Sequence, residues 1–239
     1  MSMIVDFHSH VLPGIDDGSR SLEQSLAMLK MEAEQGISRV VATPHFYAQH
    51  DKPEKFLRKR EEAERLLRQA IAENPGLPEL SIGAEVYYFN GISHSDALSE
   101  LTIDKKRYIL IEMPMPPWSD RIYRDLENIY VKQDLIPVVA HIDRYIAPFH
   151  TYGIPQKLEN LPVKVQANAS FFLDKATRRM AFRMMRQGKI QLLGSDCHDL
   201  SDRKPNLGEA VKLLRQKFGT DIISYINSHE EEILESPSL

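Results

Sequence analysis

The sequence has one cysteine in 239 residues, Cys197, which excludes an internal disulfide framework and suits a reducing compartment. It has no cationic excess: 30 Lys and Arg stand against 34 Asp and Glu, for a formal net charge of -4. With cations spread among acids, no basic field awaits a nucleic-acid backbone, and nucleic acid is excluded as a partner. No apolar run approaches the roughly 20 residues needed to cross a bilayer. The N-terminus lacks the charged, apolar and small-residue succession of a secretory signal. A cytoplasmic protein without membrane insertion is expected. What the chain has in quantity is histidine, nine in all, more than packing at this size demands.

The length and a 42% hydrophobic content fit one large core, so residues 1–239 read as a single domain. Apolar, β-branched runs recur at 3–7, 39–43, 80–84, 108–112, 136–141, 163–168 and 190–195. Helical periodicity follows near 21–35, 54–73, 119–133, 174–187, 206–217 and 220–234. Ser21 and Gln24 have capping-box spacing at the start of the first helix. Near-continuously apolar strands alternating with helices predict an α/β protein with a parallel sheet covered on both faces. Seven strands in one domain predict a closed or nearly closed, TIM-like (β/α) barrel, a doubly wound open sheet being the alternative. MPMPPW (113–118) and NPGLP (74–78) read as loops rather than domain linkers.

In a parallel barrel the functional rim lies at the carboxyl ends of the strands, and there the polar residues gather. The first strand ends in His8 and His10, with Asp17 in the following loop; the next four end in His45, Glu85, Glu112 and His141, and the seventh in Asp196 and His198. Each histidine alone has an ordinary reading as a hydrogen-bonded structural residue. Nine such residues at six of seven strand ends have no comparable ordinary explanation. In His8-Ser9-His10 the imidazoles fall on one face of the strand, and Asp196 and His198 repeat that spacing.

Imidazole and carboxylate without thiolate suit Mn, Fe, Zn or, less well, Mg, and nine donors call for two or three ions. Such a cluster forms a clamp for in-line displacement at phosphorus. Four carboxylates against three divalent ions leave a net positive pocket, which draws an anion such as phosphate. Arg144 and Arg203 sit on loops of ligand-bearing strands, where a guanidinium grips phosphate bidentately; the ordinary reading of each is a surface salt bridge.

GSDCHDLSDR (194–203) has a second reading, because Cys197 and Arg203 have the Cys-x5-Arg spacing of thiol-based tyrosine phosphatases. The residues between them are His-Asp-Leu-Ser-Asp, without the glycines a phosphate-cradling loop uses and with two carboxylates that raise a thiol pKa. The spacing is read as coincidence, and the cysteine as inert.

DFHSHVLPGIDDGS, ATPHF, GAEVYY, IEMP, AHIDRY and GSDCHD, in that order, resemble the polymerase and histidinol phosphatase (PHP) superfamily. The resemblance runs from Asp6 to about Gly208. Within the superfamily it is nearest the bacterial metal-dependent protein-tyrosine phosphatases that act on tyrosine autokinases of capsule and exopolysaccharide synthesis. It implies a distorted seven-stranded barrel with a trinuclear site, usually loaded with manganese. His8, His10, Glu85 and Asp196 would hold one ion, Glu85, Glu112 and His141 a second, and Asp17, His45 and His198 a third. Arg144 and Arg203 match the family's phosphate-contacting arginines. Phe46 after His45 departs from the pattern, where a second polar residue is expected.

The implied reaction is phosphomonoester hydrolysis by metal-activated water, without a covalent enzyme intermediate, on a phosphotyrosine protein, the cognate kinase being the expected partner. The alternatives are a small-molecule phosphatase of the superfamily, such as one for histidinol phosphate, and a non-catalytic metal-binding module. Tyr47, Trp118 and Tyr145 lie on rim loops, where they either wall in a tyrosyl ring or simply anchor the loops. His50, His94, His150 and His229 read as surface or loop residues, and the acidic C-terminus as a solvated face.

Overall fold

A computed structural model describes residues 4–149, 151 and 153–239; His150 and Met3, the first residue of the expected opening strand, lie outside the described residues. The strands are β1 (Val5–Ser9), β2 (Arg39–Ala42), β3 (His45–Phe46), β4 (Glu79–Ile82), β5 (Glu85–Tyr87), β6 (Tyr108–Glu112), β7 (Ile136–Val139), β8 (Lys164–Asn168) and β9 (Leu192–Gly194). They pair in parallel throughout, in a three-stranded order β1-β2-β4 and a six-stranded order β3-β5-β6-β7-β8-β9.

The single seven-stranded sheet expected from the sequence is thus divided into two, and the reason is local. Two of the expected strands break, one at Thr43-Pro44 and one at Gly83-Ala84. Pro44 has no N–H to give a ladder, and a Cβ on Gly83 would stand 3.1 Å from Ile103 Cγ1. Before the breaks β2 pairs with β4 on one side and β1 on the other; after them β5 pairs with β3 on one side and β6 on the other. The result is a curled α/β surface. At its two ends Asp196 N donates to His8 O at 2.8 Å and His10 N to Cys197 O at 2.9 Å.

The six expected helices are present as α1 (Leu22–Glu34), α2 (Pro53–Glu73), α3 (Asp120–Gln133), α7 (Arg178–Arg186), α8 (Leu207–Phe218) and α9 (Asp221–Leu234). Three short ones that the sequence pattern did not announce join them: α4 (Asp143–Ile146), α5 (Gly153–Leu158) and α6 (Ala169–Leu173). Ser21 caps α1, accepting from Gln24 N at 3.3 Å, while the Gln24 side chain accepts from Arg20 N, one residue before the capping-box partner.

Alternation along the strands sorts two cores. Ile109 and Ile111 of β6 face the helices, while Tyr108 and Leu110 join Val5, Phe7, Val41 and Val138 in a smaller interior cluster closed by Ile103 and Ile233. A one-residue irregularity between Asp6 and Ser9 then shifts the register of β1. Such bulges re-aim side chains beside functional sites, and His8 lies within this one, with His10 just beyond it.

Candidate metal centre

Glu85 is the hub. Four histidines bring a ring nitrogen to its oxygens: His141 Nε2 at 2.7 Å, His45 Nδ1 at 2.9 Å, His8 Nε2 at 3.1 Å and His10 Nε2 at 3.3 Å. Burial opposes ionisation of Glu85, but the histidines around it hold its carboxyl well below the usual range. Asp196 stands opposite, 3.6 Å from His8 Nε2 and 3.5 Å from His10 Nε2, and is likewise held low against burial by His8, His10 and Arg144. Glu112 approaches His141 Nε2 at 3.7 Å, and burial together with Glu85 pushes its pKa up to about 7. At the outer edge Asp17 lies 3.4 Å from His45 Nε2 and 3.5 Å from His198 Nε2. All nine sequence-predicted candidates therefore converge on one site.

The donors fall into sets close enough to share an ion: His10, Asp17, His45 and His198; His8, His10 and Glu85; and His45, Glu85 and Glu112. They differ from the expected partition in that His10 and His45 each join two sets, while Asp196 and His141 join none. His141 and His198 are pushed down, foremost by burial, His198 to about 4, so both carry the free lone pair that ligation requires. His8 and His10 are raised in spite of burial, so an ion binding there displaces protons.

Several buried atoms have no hydrogen-bond partner among the described residues: His45 Nδ1, Glu85 Oε2, His141 Nδ1 and His198 Nε2. His45 Nδ1 and Glu85 Oε2 are near each other but out of hydrogen-bond alignment. An orphaned buried polar atom costs about 1–3 kcal/mol, and this donor set is one that divalent ions satisfy. The residues fit a metal cluster. Backbone strain adds to the case: His141 (φ 31°) and Asp196 (φ 55°) hold left-handed conformations that non-glycine residues seldom adopt.

Both arginines close on the cluster. Arg203 Nη2 donates to Asp196 Oδ1 at 2.8 Å, Arg144 Nη2 donates to Asp196 Oδ2, and Arg144 Nη1 lies 3.7 Å from Glu112.

Three residues the sequence reading missed hold the candidate ligands by hydrogen bonds. Asp16 Oδ2 accepts from His10 Nδ1 and from His45 N, and the cationic His10 draws its pKa down to about 2 despite burial. Gln166 Oε1 accepts from His141 N at 2.6 Å and faces His8 Nδ1 at 3.3 Å. Asn168 Nδ2 donates to Asp196 Oδ2 at 3.0 Å. Gln166 and Asn168 lie two apart on β8, the strand that supplies no candidate ligand, and that same-face pair was the legible signal. Asp16 differed from Asp17 by nothing visible in the sequence.

The remaining candidates resolve individually. Cys197 is fully buried, and burial, Glu32 and Asp6 push its thiol well up, the opposite of a nucleophile's needs. Tyr145 is buried, accepting from Met113 N at 2.8 Å, and Trp118 packs on it while donating to Pro114 O at 2.6 Å. Both anchor loops. Tyr47 is half-buried at the edge, 5.2 Å from the His45 ring. Phe46 packs edge-on to Phe56 in the core. His94 and His229 bond Lys132 and Lys164 away from the cluster, and His50 is exposed.

The profile of the family described as capsular polysaccharide synthesis, CpsB/CapC, matches residues 4–235. The tyrosine-protein phosphatase CpsB of Streptococcus pneumoniae is 29% identical over 236 residues, covering 90% of this chain and 91% of that protein. The tyrosine-protein phosphatase YwqE of Bacillus subtilis is 27% identical over 244 residues, covering 99% and 93%. A crystal structure from work on YwqE and CpsB, described as metal-dependent tyrosine phosphatases, superposes with a TM-score of 0.85 at 22% identity, covering 97% of this chain and 94% of that one, which establishes the shared fold.

Proposed function

The chain belongs to the CpsB/CapC family of capsular polysaccharide synthesis, and from that premise and the site's geometry we propose that it is a metal-dependent protein-tyrosine phosphatase. One observation carries the reading: four histidines within 3.3 Å of the Glu85 carboxylate, with two guanidinium groups converging on Asp196 beside them. His8, His10, Glu85 and Asp196 would hold one ion, Glu85, Glu112 and His141 a second, and Asp17, His45 and His198 a third, with manganese first among the candidates. When bound, the ions supply positive charge and lower the pKa of water toward neutrality.

The protein's own residues do the rest. Arg144 and Arg203 bind the phosphate from two sides and orient it for in-line attack. Asp16, Gln166 and Asn168 keep the ligating side chains aimed. Tyrosinate leaves more readily than an alkoxide, so no strong general acid is needed. Tyr47 stands where an aromatic ring would meet the edge of the site.

The reading includes one domain over residues 1–239, with seven strand positions closed into a ring. The pairing of Ser9 with Cys197 and the two hydrogen bonds between β1 and the end of β9 support closure. It includes a cytoplasmic location, which suits a buried, unpaired cysteine, and a cognate tyrosine kinase as substrate. Among the described residues no helix is long and apolar enough to cross a membrane.

The test is turnover of a phosphotyrosine peptide and of histidinol phosphate after chelation and re-addition of Mn, Fe, Zn or Mg. Activity on the peptide should vanish on chelation and return with metal. Turnover that survives chelation, or Glu85→Ala at full activity, would overturn the proposal.

A further inference from the structure

Although the sequence as a whole interleaves its charges, one segment does not. Lys175, Arg178, Arg179, Arg183, Arg186 and Lys189 fall within α7 and its flanks, with no carboxylate among them. Two are occupied: Arg178 donates to the carbonyls of Phe172 and Leu173, and Lys189 pairs with Glu159 at 3.0 Å. Arg179, Arg183 and Arg186 are exposed and form no ion pair among the described residues.

Arg179 and Arg183 rim a cavity of about 330 Å³ between α5 and α7, floored by Ile146, Pro155, Met180 and Met184. That volume is at the lower end for a pocket that takes a ligand. Ile146 in its lining lies on α4, the short helix that also carries Arg144.

We propose that this groove docks an acidic segment of the polypeptide substrate, outside the residues that meet the phosphotyrosine. Two guanidinium forks above a methionine-rich floor match carboxylates carried on a flexible chain. A membrane surface fits less well. The apolar residues Ala181, Met184 and Met185 of α7 are buried in the fold, leaving no apolar stripe to enter lipid, and the site is concave. The groove's use rests on the protein-phosphatase reading, but its occupancy can be measured without turnover.

The experiment compares the metal-loaded wild type with Arg179→Glu/Arg183→Glu and with Arg179→Lys/Arg183→Lys. The first probe is a fluorescent, unphosphorylated Asp/Glu-rich peptide read by anisotropy. The second is a pair of phosphotyrosine peptides that differ only in an acidic or a Gly/Ser flank. Charge reversal should weaken binding of the acidic peptide about tenfold or more and abolish the KM advantage of the acidic flank. The Lys pair should retain most of both, and turnover of p-nitrophenyl phosphate should not change. Equal binding by wild type and the Glu pair overturns the groove, whatever the enzyme hydrolyses. Binding that depends on the arginines while neither phosphopeptide is turned over leaves the groove supported and sinks the phosphatase reading instead. Loss of sedimentation with phosphatidylglycerol vesicles in the Glu pair, with peptide binding intact, would assign the surface to membrane and overturn the proposal.

Discussion

Asp16 Oδ2 lies 2.7 Å from Nδ1 of His10, and the same carboxylate accepts from the backbone of His45 and of Gly18. One side chain thus fixes the ring of one proposed ligand and the strand start of another. With Nδ1 committed to Asp16, Nε2 of His10 is the nitrogen left to face Glu85 and Asp196. Loss of such an outer partner costs about 10–100-fold in metal affinity. Asp16→Asn should weaken manganese binding within that range, read by metal titration, and recover much of its turnover at high metal. Unchanged affinity would reduce Asp16 to a loop-building residue.

Gln166 performs a similar task from β8. Gln166→Leu keeps the bulk but orphans His141 N and removes the partner of His8 Nδ1. An orphaned buried donor costs about 1–3 kcal/mol, and each kcal/mol lowers Tm by about 2–4 °C in a chain of this size. The expected result is a fall in Tm with weaker metal binding. Gln166→Glu keeps an acceptor at both contacts and should bind metal better than the Leu variant; the reverse order would contradict an orienting role.

Cys197→Ser should leave most turnover of a phosphotyrosine peptide intact, because the thiol is buried and held protonated. Its neighbours are another matter. Asp196→Ala and His198→Ala should each cost more than the roughly 100-fold loss of an outer partner, with fewer metal ions bound per chain. An inactive Cys197→Ser with full metal content would restore the thiolate mechanism that its spacing from Arg203 suggests.

The convergence of the nine candidates was legible in the sequence because they obey one rule, polar residues at strand ends, which survives imprecise strand boundaries. His45 and Glu85 illustrate this. Both were assigned to the ends of longer strands, and both lie in short strands of their own beyond a break. The division of the sheet was not legible, because a single proline or glycine says where a ladder is weak without saying which strand it pairs with next. Asp16 and Gln166 were missed for a different reason. Their roles depend on which ligand atom they reach across the fold, and no spacing within one strand encodes that. The basic face of α7 was lost in an averaged charge count.

Glu230, on α9, is 1% exposed, and its Oε2 has no partner among the described residues. Burial, with Asp6 and Glu231 adding repulsion, raises its pKa well above the ordinary 4.5 even though it meets the backbone of Val5. Below the unfolded-state pKa the carboxyl is protonated in both states, and the folded protein bears no penalty. As pH rises past that value the unfolded chain ionises freely while the folded one keeps its proton, so stability is lost until the folded pKa is passed. Glu230→Gln does not titrate, and it escapes the loss. Its Tm relative to the parent should therefore climb between pH 4 and pH 8, by about 2–4 °C for each kcal/mol recovered. Differential scanning calorimetry at the two pH values measures it directly. A Tm difference that stays constant across the range would mean that the carboxyl ionises alike in both states, and that the buried setting of Glu230 is open to water.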